Sequence, residues 1–161
     1  MDLISQLKEL AIGSRLKRLS ERFFQDTILI YKSSDIEFES RWFPVFRLLM
    51  LKSPLSILDV AKALRITHPA VNQIAGEMIE KGIVYEIDAP NDKRKRLIGL
   101  TEKGLSLVPK LEKVWKKIHS CVIEILGETG YDFLDCVEKL EKVLYQESLY
   151  QRFTDYDLSE K

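Results

Sequence analysis

Two short amphipathic segments separated by only three residues constrain the fold of this chain most. The apolar residues of the first segment have the i, i+3, i+4, i+7 spacing of one helical face: Ile57, Val60, Ala61 and Leu64. Ser56 precedes them and is a good N-cap. After the link 65–67, Pro69 suits the first turn of a second helix, where its missing N–H would have no partner. The pattern predicts two helices joined by a tight turn.

The second of these helices is predicted to bury one narrow face and to end at Lys81-Gly82, a C-terminal cation followed by a left-handed stop. Its buried stripe is Val71, Ile74, Ala75 and Met78. The residues left on the outward face are small or polar: Ala70, Asn72, Gln73, Gly76, Glu77 and Glu80. The carboxylate of Glu77 would repel an anionic ligand, such as a phosphate group, if it pointed outward toward that ligand.

A β-hairpin is predicted to follow the second helix. Residues 83–87 include β-branched and aromatic residues, residues 89–92 have turn composition, and residues 97–100 can pair back. This gives two strands and a loop of about eight residues. At its tip lies the densest basic run of the chain, Lys93, Arg94, Lys95 and Arg96.

Long amphipathic helices are predicted on both sides of this middle segment. The first covers residues 2–30, a polar and aromatic connector covers residues 31–40, and a helix covers residues 41–51. Beyond Thr101, a predicted helix N-cap, a heptad seam comprises Val108, Leu111, Trp115, Ile118, Val122 and Ile125. Pro109 is expected to kink this helix or delay its start. A last helix carries Phe133, Val137, Leu140 and Leu144.

Composition excludes several classes of protein. The 161 residues suit about one domain, and no apolar run approaches the roughly 18 residues that cross a bilayer. The first ten residues lack the apolar core of a secretion signal, so we expect a cytoplasmic protein. Two histidines and two cysteines are too few for a metal cage or a disulfide framework, and we expect no metal and no cofactor. Cys121 and Cys136 are expected to be buried apolar residues.

The distribution of charge is more informative than its sum. Lys and Arg number 25 and Asp and Glu number 25, so the formal net charge is zero. Residues 52–120 nevertheless carry 13 basic against 8 acidic residues, whereas residues 121–161 carry 4 against 10. One part of the chain can therefore approach a polyanion, although solvated helix faces would show the same charges.

The order of helix, tight turn, helix and basic ribbon outlines a winged helix-turn-helix. The DNA major groove admits an α-helix, and side chains such as Asn72 and Gln73 both donate to and accept from base edges. His68 begins the same helix, where backbone amides favour phosphate. An arginine on a hairpin enters a narrow minor groove, and we assign this role to Arg94 with Lys93, Lys95 and Arg96 as phosphate contacts. Each feature alone is also typical of ordinary solvated surface.

These residues resemble the MarR/SlyA family of bacterial transcription regulators. The resemblance lies in residues 55–64, in His68-Pro69-Ala70-Val71-Asn72-Gln73 continuing to residues 80–84, and above all in Asp92-Lys93-Arg94 followed by Leu100-Thr101-Glu102-Lys103-Gly104. The last combination is similar to the wing signature of that family. Pro69 and Ala70 depart from the hydroxyl or basic residues that the family often has early in its recognition helix.

The resemblance implies a mainly α fold, a winged helix-turn-helix with a two-stranded wing and long N- and C-terminal dimerisation helices. Residues 41–104 would be the DNA-binding lobe, residues 1–30 and 105–152 the dimerisation region, and residues 153–161 a tail. Residues 68–81 would be the recognition helix, with His68, Pro69, Ala70, Asn72 and Gln73 at the DNA. Asp92 would orient the basic residues of the wing. The expected function is a homodimeric repressor on a palindromic operator.

Aromatic residues near the predicted junction leave the question of an effector open. Many relatives in the resembled family release DNA when a small aromatic ligand binds between the dimerisation helices and the winged lobe. Here Tyr31, Phe38, Trp42 and Phe46 cluster, and Arg15 or Arg41 could meet a carboxylate. The alternative is that these aromatic residues fill the junction themselves.

Two other functions are compatible with the chain. A winged-helix module can bind protein instead of DNA, although the basic wing favours DNA. A small enzyme would need a nucleophile and a base, and the run His119-Ser120-Cys121 contains both types. Consecutive helical residues point about 100° apart, so His119 and Cys121 would diverge, and we expect no enzyme.

Overall fold

The computed structural model describes residues 2–89 and 92–156, with the backbone only for residues 92–94. The chain forms two compact units, residues 1–114 and residues 115–161. The α-helices are α1 (Leu3–Gln6), α2 (Ile12–Ser33), α3 (Phe43–Leu51), α4 (Ile57–Leu64), α5 (His68–Glu80), α6 (Glu102–Gly127), α7 (Phe133–Gln146) and α8 (Leu149–Asp155). The strands are β1 (Leu55–Ser56), β2 (Val84–Ala89) and β3 (Asp92–Leu100). The predicted mainly helical, winged fold is confirmed.

The N-terminal region differs from the single helix predicted over residues 2–30. α1 is followed by a 3-10 turn, Lys8–Ala11, and Lys8 has a left-handed φ of 47°, which interrupts the helix. α2 continues to Ser33. The predicted polar connector over residues 31–40 is wrong in part, because Ile36 and Phe38 alternate along an extended segment and turn their side chains into the core.

The core of the first unit lies between α3, α4, α5 and the sheet. The predicted buried stripe of α5 is confirmed for Val71, Ala75 and Met78, which are all at most 2% exposed, whereas Ile74 is only half-buried. Seven further core residues are also at most 2% exposed: Val45, Phe46, Leu49, Val60, Ile83, Val84 and Ile98. This burial holds the two predicted helices of the middle segment against the hairpin.

The sheet has three antiparallel strands in the order β1, β3, β2. β2 and β3 pair from Val84 opposite Leu100 to Ala89 opposite Asp92, with an irregularity beside Asp88. The predicted eight-residue loop is therefore much shorter, and the basic run lies on β3. Sequence patterning missed β1, because two residues cannot display an alternating pattern; Leu55 pairs with Ile98.

Helix α6 begins where it was predicted, after Thr101. The Gly104 amide donates to Thr101 Oγ1 at 3.0 Å, and Thr101 Oγ1 donates to the Gly82 carbonyl at 2.7 Å. Pro109 lies inside the continuous helix, so the predicted delay of its start does not occur. Gly104 is needed because a Cβ built there would lie 2.3 Å from the Ile83 carbonyl oxygen.

The second unit contains the end of α6 together with α7 and α8. Of the predicted seam, Trp115, Ile118 and Val122 are half-buried, whereas Ile125 is 49% exposed. Cys121 and Cys136 are exposed, so the prediction of buried cysteines is wrong: both lie on helix faces that this unit does not cover. Within the described ranges, no helix has both the length and the apolar character needed to span a membrane.

We expect Gly104→Ala to lower the free energy of unfolding by about 1–3 kcal/mol, because the added methyl group overpacks against the Ile83 carbonyl. Thermal or urea denaturation measures the change. Gly76→Ala is the matched control, since a Cβ at Gly76 meets nothing within 4 Å. The control should gain up to about 1 kcal/mol from helix propensity. Equal stabilisation of both variants would contradict the close contact.

Candidate nucleic-acid interface

Helices α4 and α5 are positioned by their caps. Ser56 Oγ accepts from the Asp59 amide at 3.1 Å, and Thr67 Oγ1 accepts from the Ala70 amide at 3.4 Å. Arg65 ends α4 with a left-handed φ of 54°, which turns the chain sharply. Pro69 lies in the first turn of α5, as predicted. These caps determine where α4 and α5 begin.

A cleft of about 460 Å³ lies between the first turns of α4 and α5 and the base of the wing. Two predicted DNA-binding residues of α5, His68 and Asn72, line it together with two from β3, Lys95 and Arg96. Sequence reasoning missed Lys62 of α4, which also lines this cleft. The predicted recognition helix and the wing therefore share one face.

The rest of the cleft is formed by carboxylates and apolar side chains. Glu86 Oε2 accepts from Arg96 Nη1 at 2.7 Å, and this ion pair raises the pKa of Arg96. Asp59 is held by a 2.6 Å hydrogen bond from Ser56 Oγ. The remaining lining residues are Ile57, Leu58 and Leu97. Arg96, predicted as a phosphate contact, is thus already braced by the neighbouring strand.

The other predicted wing residues lie near the hairpin end. Asp92, Lys93 and Arg94 belong to the backbone of β3, but their side chains lie outside the described residues. The turn residues 90 and 91 also lie outside them. The orienting role predicted for Asp92 and the minor-groove role predicted for Arg94 remain predictions.

The outward face of α5 carries hydrogen bonds of its own. Asn72 Nδ2 lies 3.0 Å from His68 Nδ1, one turn away. Gln73 Nε2 donates to Glu77 Oε1 at 3.3 Å. Pro69 is exposed and Ala70 half-buried on the same helix. All five recognition-helix residues named from the sequence therefore lie along the first half of α5.

Glu77 does not point freely outward, which corrects the prediction that it could repel phosphate. Trp42 Nε1 donates to its Oε2 at 2.8 Å, and Arg41 Nε lies 3.0 Å from the same oxygen. Its side chain is only 24% exposed. Both partners lie in or beside the 3-10 turn Ser40–Trp42, which packs against α5. An isolated glutamate on a helix gives no sequence signal for such a contact.

The aromatic residues considered for an effector site form a packed cluster. The ring of Phe38 makes edge-to-face contacts with Tyr31, Trp42 and Phe46 at centroid distances of 5.2 to 5.6 Å. All four rings are at most 6% exposed. Of the two arginines, Arg41 pairs with Glu77, and Arg15 lines a separate shallow cavity with Lys8, Glu9 and Ile12. The alternative that these rings fill the junction agrees with this packing.

The structure bears on the run considered for a small enzyme and on the possibility of a metal site. His119, Ser120 and Cys121 are all exposed on α6. Among the residues with described side chains, no group of three or more His, Cys, Asp or Glu is arranged to hold a metal ion.

Known proteins resemble this chain in sequence and in fold. Residues 36–95 match the family model of the MarR family. PcaV of Streptomyces coelicolor, solved with its natural ligand, is 17% identical and superposes with a TM-score of 0.67 over 81% of this chain and 92% of its own. MepR of S. aureus, solved with DNA, is 22% identical with a TM-score of 0.66 over 83% and 96%. BldR of Sulfolobus solfataricus is 18% identical with a TM-score of 0.64 over 91% and 99%.

The end of α5 is tied to the extended segment before the 3-10 turn. Lys81 Nζ donates to Glu37 Oε1, and Lys103 Nζ donates to the Lys81 carbonyl at 2.7 Å. The ammonium group beside Glu37 lowers the pKa of that carboxyl group, and the same pair raises the pKa of Lys81. Because the pKa of Glu37 is lower in the folded state, its carboxylate stabilises the fold at pH values above the ordinary pKa of 4.5. This contribution disappears as the pH falls through the lowered pKa.

We therefore expect Glu37→Gln to lower the melting temperature slightly at pH 7. The difference from the wild type should shrink as the pH falls below 4.5, because the wild-type carboxylate is then protonated as well. Melting curves between pH 7 and pH 3 measure this trend. Glu124→Gln, an exposed site on α6, serves as control and should show no such trend. A gap that widened in acid would contradict the ion pair.

Proposed function

We propose that this chain, whose residues 36–95 match the family model of the MarR family, is a transcription regulator that binds double-stranded DNA sequence-specifically as a homodimer. The observation that carries the proposal is the shared cleft, which has His68 and Asn72 on one wall and Lys95 and Arg96 on the other. A helix start and a basic hairpin on one face suit the major groove and the adjacent backbone of one duplex.

Each predicted site residue has a role in this proposal. His68, Pro69 and Ala70 approach the phosphate backbone at the start of α5, where amide groups favour anions. Asn72 and Gln73 read base edges. Lys93, Lys95 and Arg96 contact phosphates, Arg94 enters the minor groove, and Asp92 orients the wing. The protein is proposed to act on DNA in the cytoplasm, as a repressor, and without catalysis or a cofactor.

The proposed homodimer is supported by apolar helix faces that neither unit covers by itself. In the first unit, Leu19 and Phe23 of α2 are 51% and 42% exposed. In the second unit, Leu140 and Leu144 of α7 are 42% and 47% exposed. Burying such stripes against a second copy gains about 25 cal/mol per Å². Two winged lobes held about 34 Å apart would read the two halves of a palindromic operator.

Charge supports the same arrangement. The basic surplus lies in residues 52–120 and the acidic surplus in residues 121–161. Like charge between Asp or Glu and phosphate opposes binding, so the acidic part is proposed to lie away from DNA. A net charge of zero is then compatible with a strong, local, salt-sensitive attraction.

A small aromatic effector is the second partner that we propose. Its support is the solved complex of PcaV with its natural ligand and the aromatic cluster around Phe38. Because these rings are buried and already in mutual contact, such a ligand would have to separate them. A ligand that displaced the ring of Trp42 would then disturb α5, because Trp42 Nε1 donates to Glu77 on that helix.

The alternative function is a winged module that binds a protein. The exposed apolar helix faces would serve such a partner, but the cations of the cleft favour a polyanion. Salt dependence distinguishes the two, since DNA binding releases about 0.9 counterion per neutralised phosphate and a protein interface has no comparable dependence.

We expect Arg94→Ala to weaken binding to an operator selected from a random DNA pool by about tenfold, because a minor-groove guanidinium is lost. Fluorescence anisotropy at several salt concentrations measures affinity and salt slope, and sedimentation tests whether the variant still self-associates. Lys17→Ala is the matched control, since Lys17 pairs with Glu21 on α2, away from the cleft. Unchanged affinity at moderate salt, or a flat salt response of the wild type, would contradict the proposal.

We expect Leu144→Glu to shift the protein from dimer to monomer and to weaken operator binding with it, because a charge would be buried in the proposed interface. Analytical ultracentrifugation measures the mass. Gln146→Glu makes the same change of charge at an exposed polar position of the same helix, so it should leave the dimer intact. A wild-type monomer at micromolar concentration would rule out the proposed assembly.

A further inference from the structure

We propose that Glu77 is a specificity-determining positioning residue: it orients the side-chain amide of Gln73 so that Gln73 reads adenine. This inference rests on the proposed function, because it assigns a role to a residue that does not itself face the base edges. The inference is argued from the contacts of four residues. Gln73 and Glu77 lie on α5, and Arg41 and Trp42 lie in the 3-10 turn Ser40–Trp42.

The Glu77 carboxylate has donors on both of its oxygens. Oε2 accepts from Trp42 Nε1 at 2.8 Å and lies 3.0 Å from Arg41 Nε. Oε1 accepts from Gln73 Nε2 at 3.3 Å. An ionised carboxylate has no hydrogen to donate, so every neighbour must present a donor. Gln73 can therefore approach Oε1 favourably only with its NH₂ group.

This contact favours one orientation of the Gln73 amide, with its NH₂ group toward Glu77. An amide oxygen facing Oε1 would leave two acceptors in contact, which is unfavourable. With one N–H used by Glu77, Gln73 retains its oxygen and its second N–H for a ligand. One acceptor beside one donor complements the N6 amino group and N7 of adenine in the major groove.

The anchor of this arrangement is rigid. Trp42 is only 3% exposed, and its ring contacts Phe38 at a centroid distance of 5.6 Å. Ser40 starts the same turn and lies 2.6 Å from Thr27 on α2, oxygen to oxygen. The position of the carboxylate is therefore set by the buried core, and α5 cannot rotate without breaking these contacts.

Glu77→Gln tests the inference because it keeps the shape of the side chain. In E77Q the oxygen of the new amide still accepts hydrogen bonds from Trp42 and Arg41. The NH₂ group of the new amide therefore faces Gln73. Gln73 must then turn its own oxygen inward and present its N–H groups to the base. We expect E77Q to lose roughly tenfold preference for adenine at one operator position and to gain tolerance for guanine, whose O6 and N7 are acceptors.

Glu80→Gln is the matched control. Glu80 lies on the same helix, is exposed, and loses the same charge, so any general electrostatic gain in affinity appears in both variants. Binding to a panel of operators that carry each base at each position measures the preference. Gln73→Ala identifies the position concerned, where it should abolish the preference. E80Q should keep the wild-type preference throughout.

A readout without DNA tests the anchor separately. The chain has two tryptophans, Trp42 and Trp115, so Trp115→Phe leaves the emission of Trp42 alone. In that background E77Q should shift the emission of Trp42, since the acceptor at its indole N–H changes from carboxylate to amide, and E80Q should not. Circular dichroism melting establishes that both variants are folded at the assay temperature.

The outcomes separate the two proposals. If the wild type binds no operator, or binds without salt dependence, the proposed function fails and this inference fails with it. If the wild type binds DNA but E77Q keeps the wild-type base preference at every position, only the role of Glu77 is overturned. The same conclusion follows if Gln73→Ala changes no base preference. Loss of adenine preference in E77Q and Q73A at one shared position, with E80Q unchanged, supports it.

Discussion

The contact between the first turn of α6 and the Ile83 carbonyl is the constraint on which the winged lobe depends. Ile83 donates its amide to the Met78 carbonyl at 2.9 Å, and its carbonyl accepts from the Thr101 amide at 3.0 Å. One residue thus connects the end of α5, the start of β2 and the start of α6. The missing Cβ of Gly104 permits this approach. The direction of the hairpin relative to α5, and hence the shape of the cleft, follows from that junction.

The parts of the fold predicted from sequence are those with short-range causes. The turn between α4 and α5 follows from Ser56, Pro69 and the spacing of the apolar residues, and the stop after α5 follows from Gly82, which has a φ of 67°. The parts that were missed have long-range causes. β1 exists only because β3 lies beside it, and Phe38 is buried only because Tyr31, Trp42 and Phe46 surround it. No local pattern contains those neighbours.

The candidate site shows the same division. His68, Asn72 and Gln73 were found because a small polar face on a short helix is visible in the sequence. Glu77 was misjudged for the same reason: helical periodicity places it on that face, but its donors come from residues more than thirty positions earlier. Lys62 was missed because it lies on the helix that precedes the recognition helix. Which polar residues of a face are free to meet a ligand depends on tertiary contacts.

The ion pairs of the lobe also explain how an electrically neutral chain can present a cationic face. Glu37, Glu77 and Glu86 each meet a cation of the same unit, so their charges are compensated locally. Lys62 and Lys95 line the cleft, and both side chains are exposed. Their attraction to a polyanion extends over about one Debye length, about 8 Å at physiological salt. Lys62, Lys95 and Arg96 line the cleft together with the carboxylates of Asp59 and Glu86, so three cations outnumber two anions there.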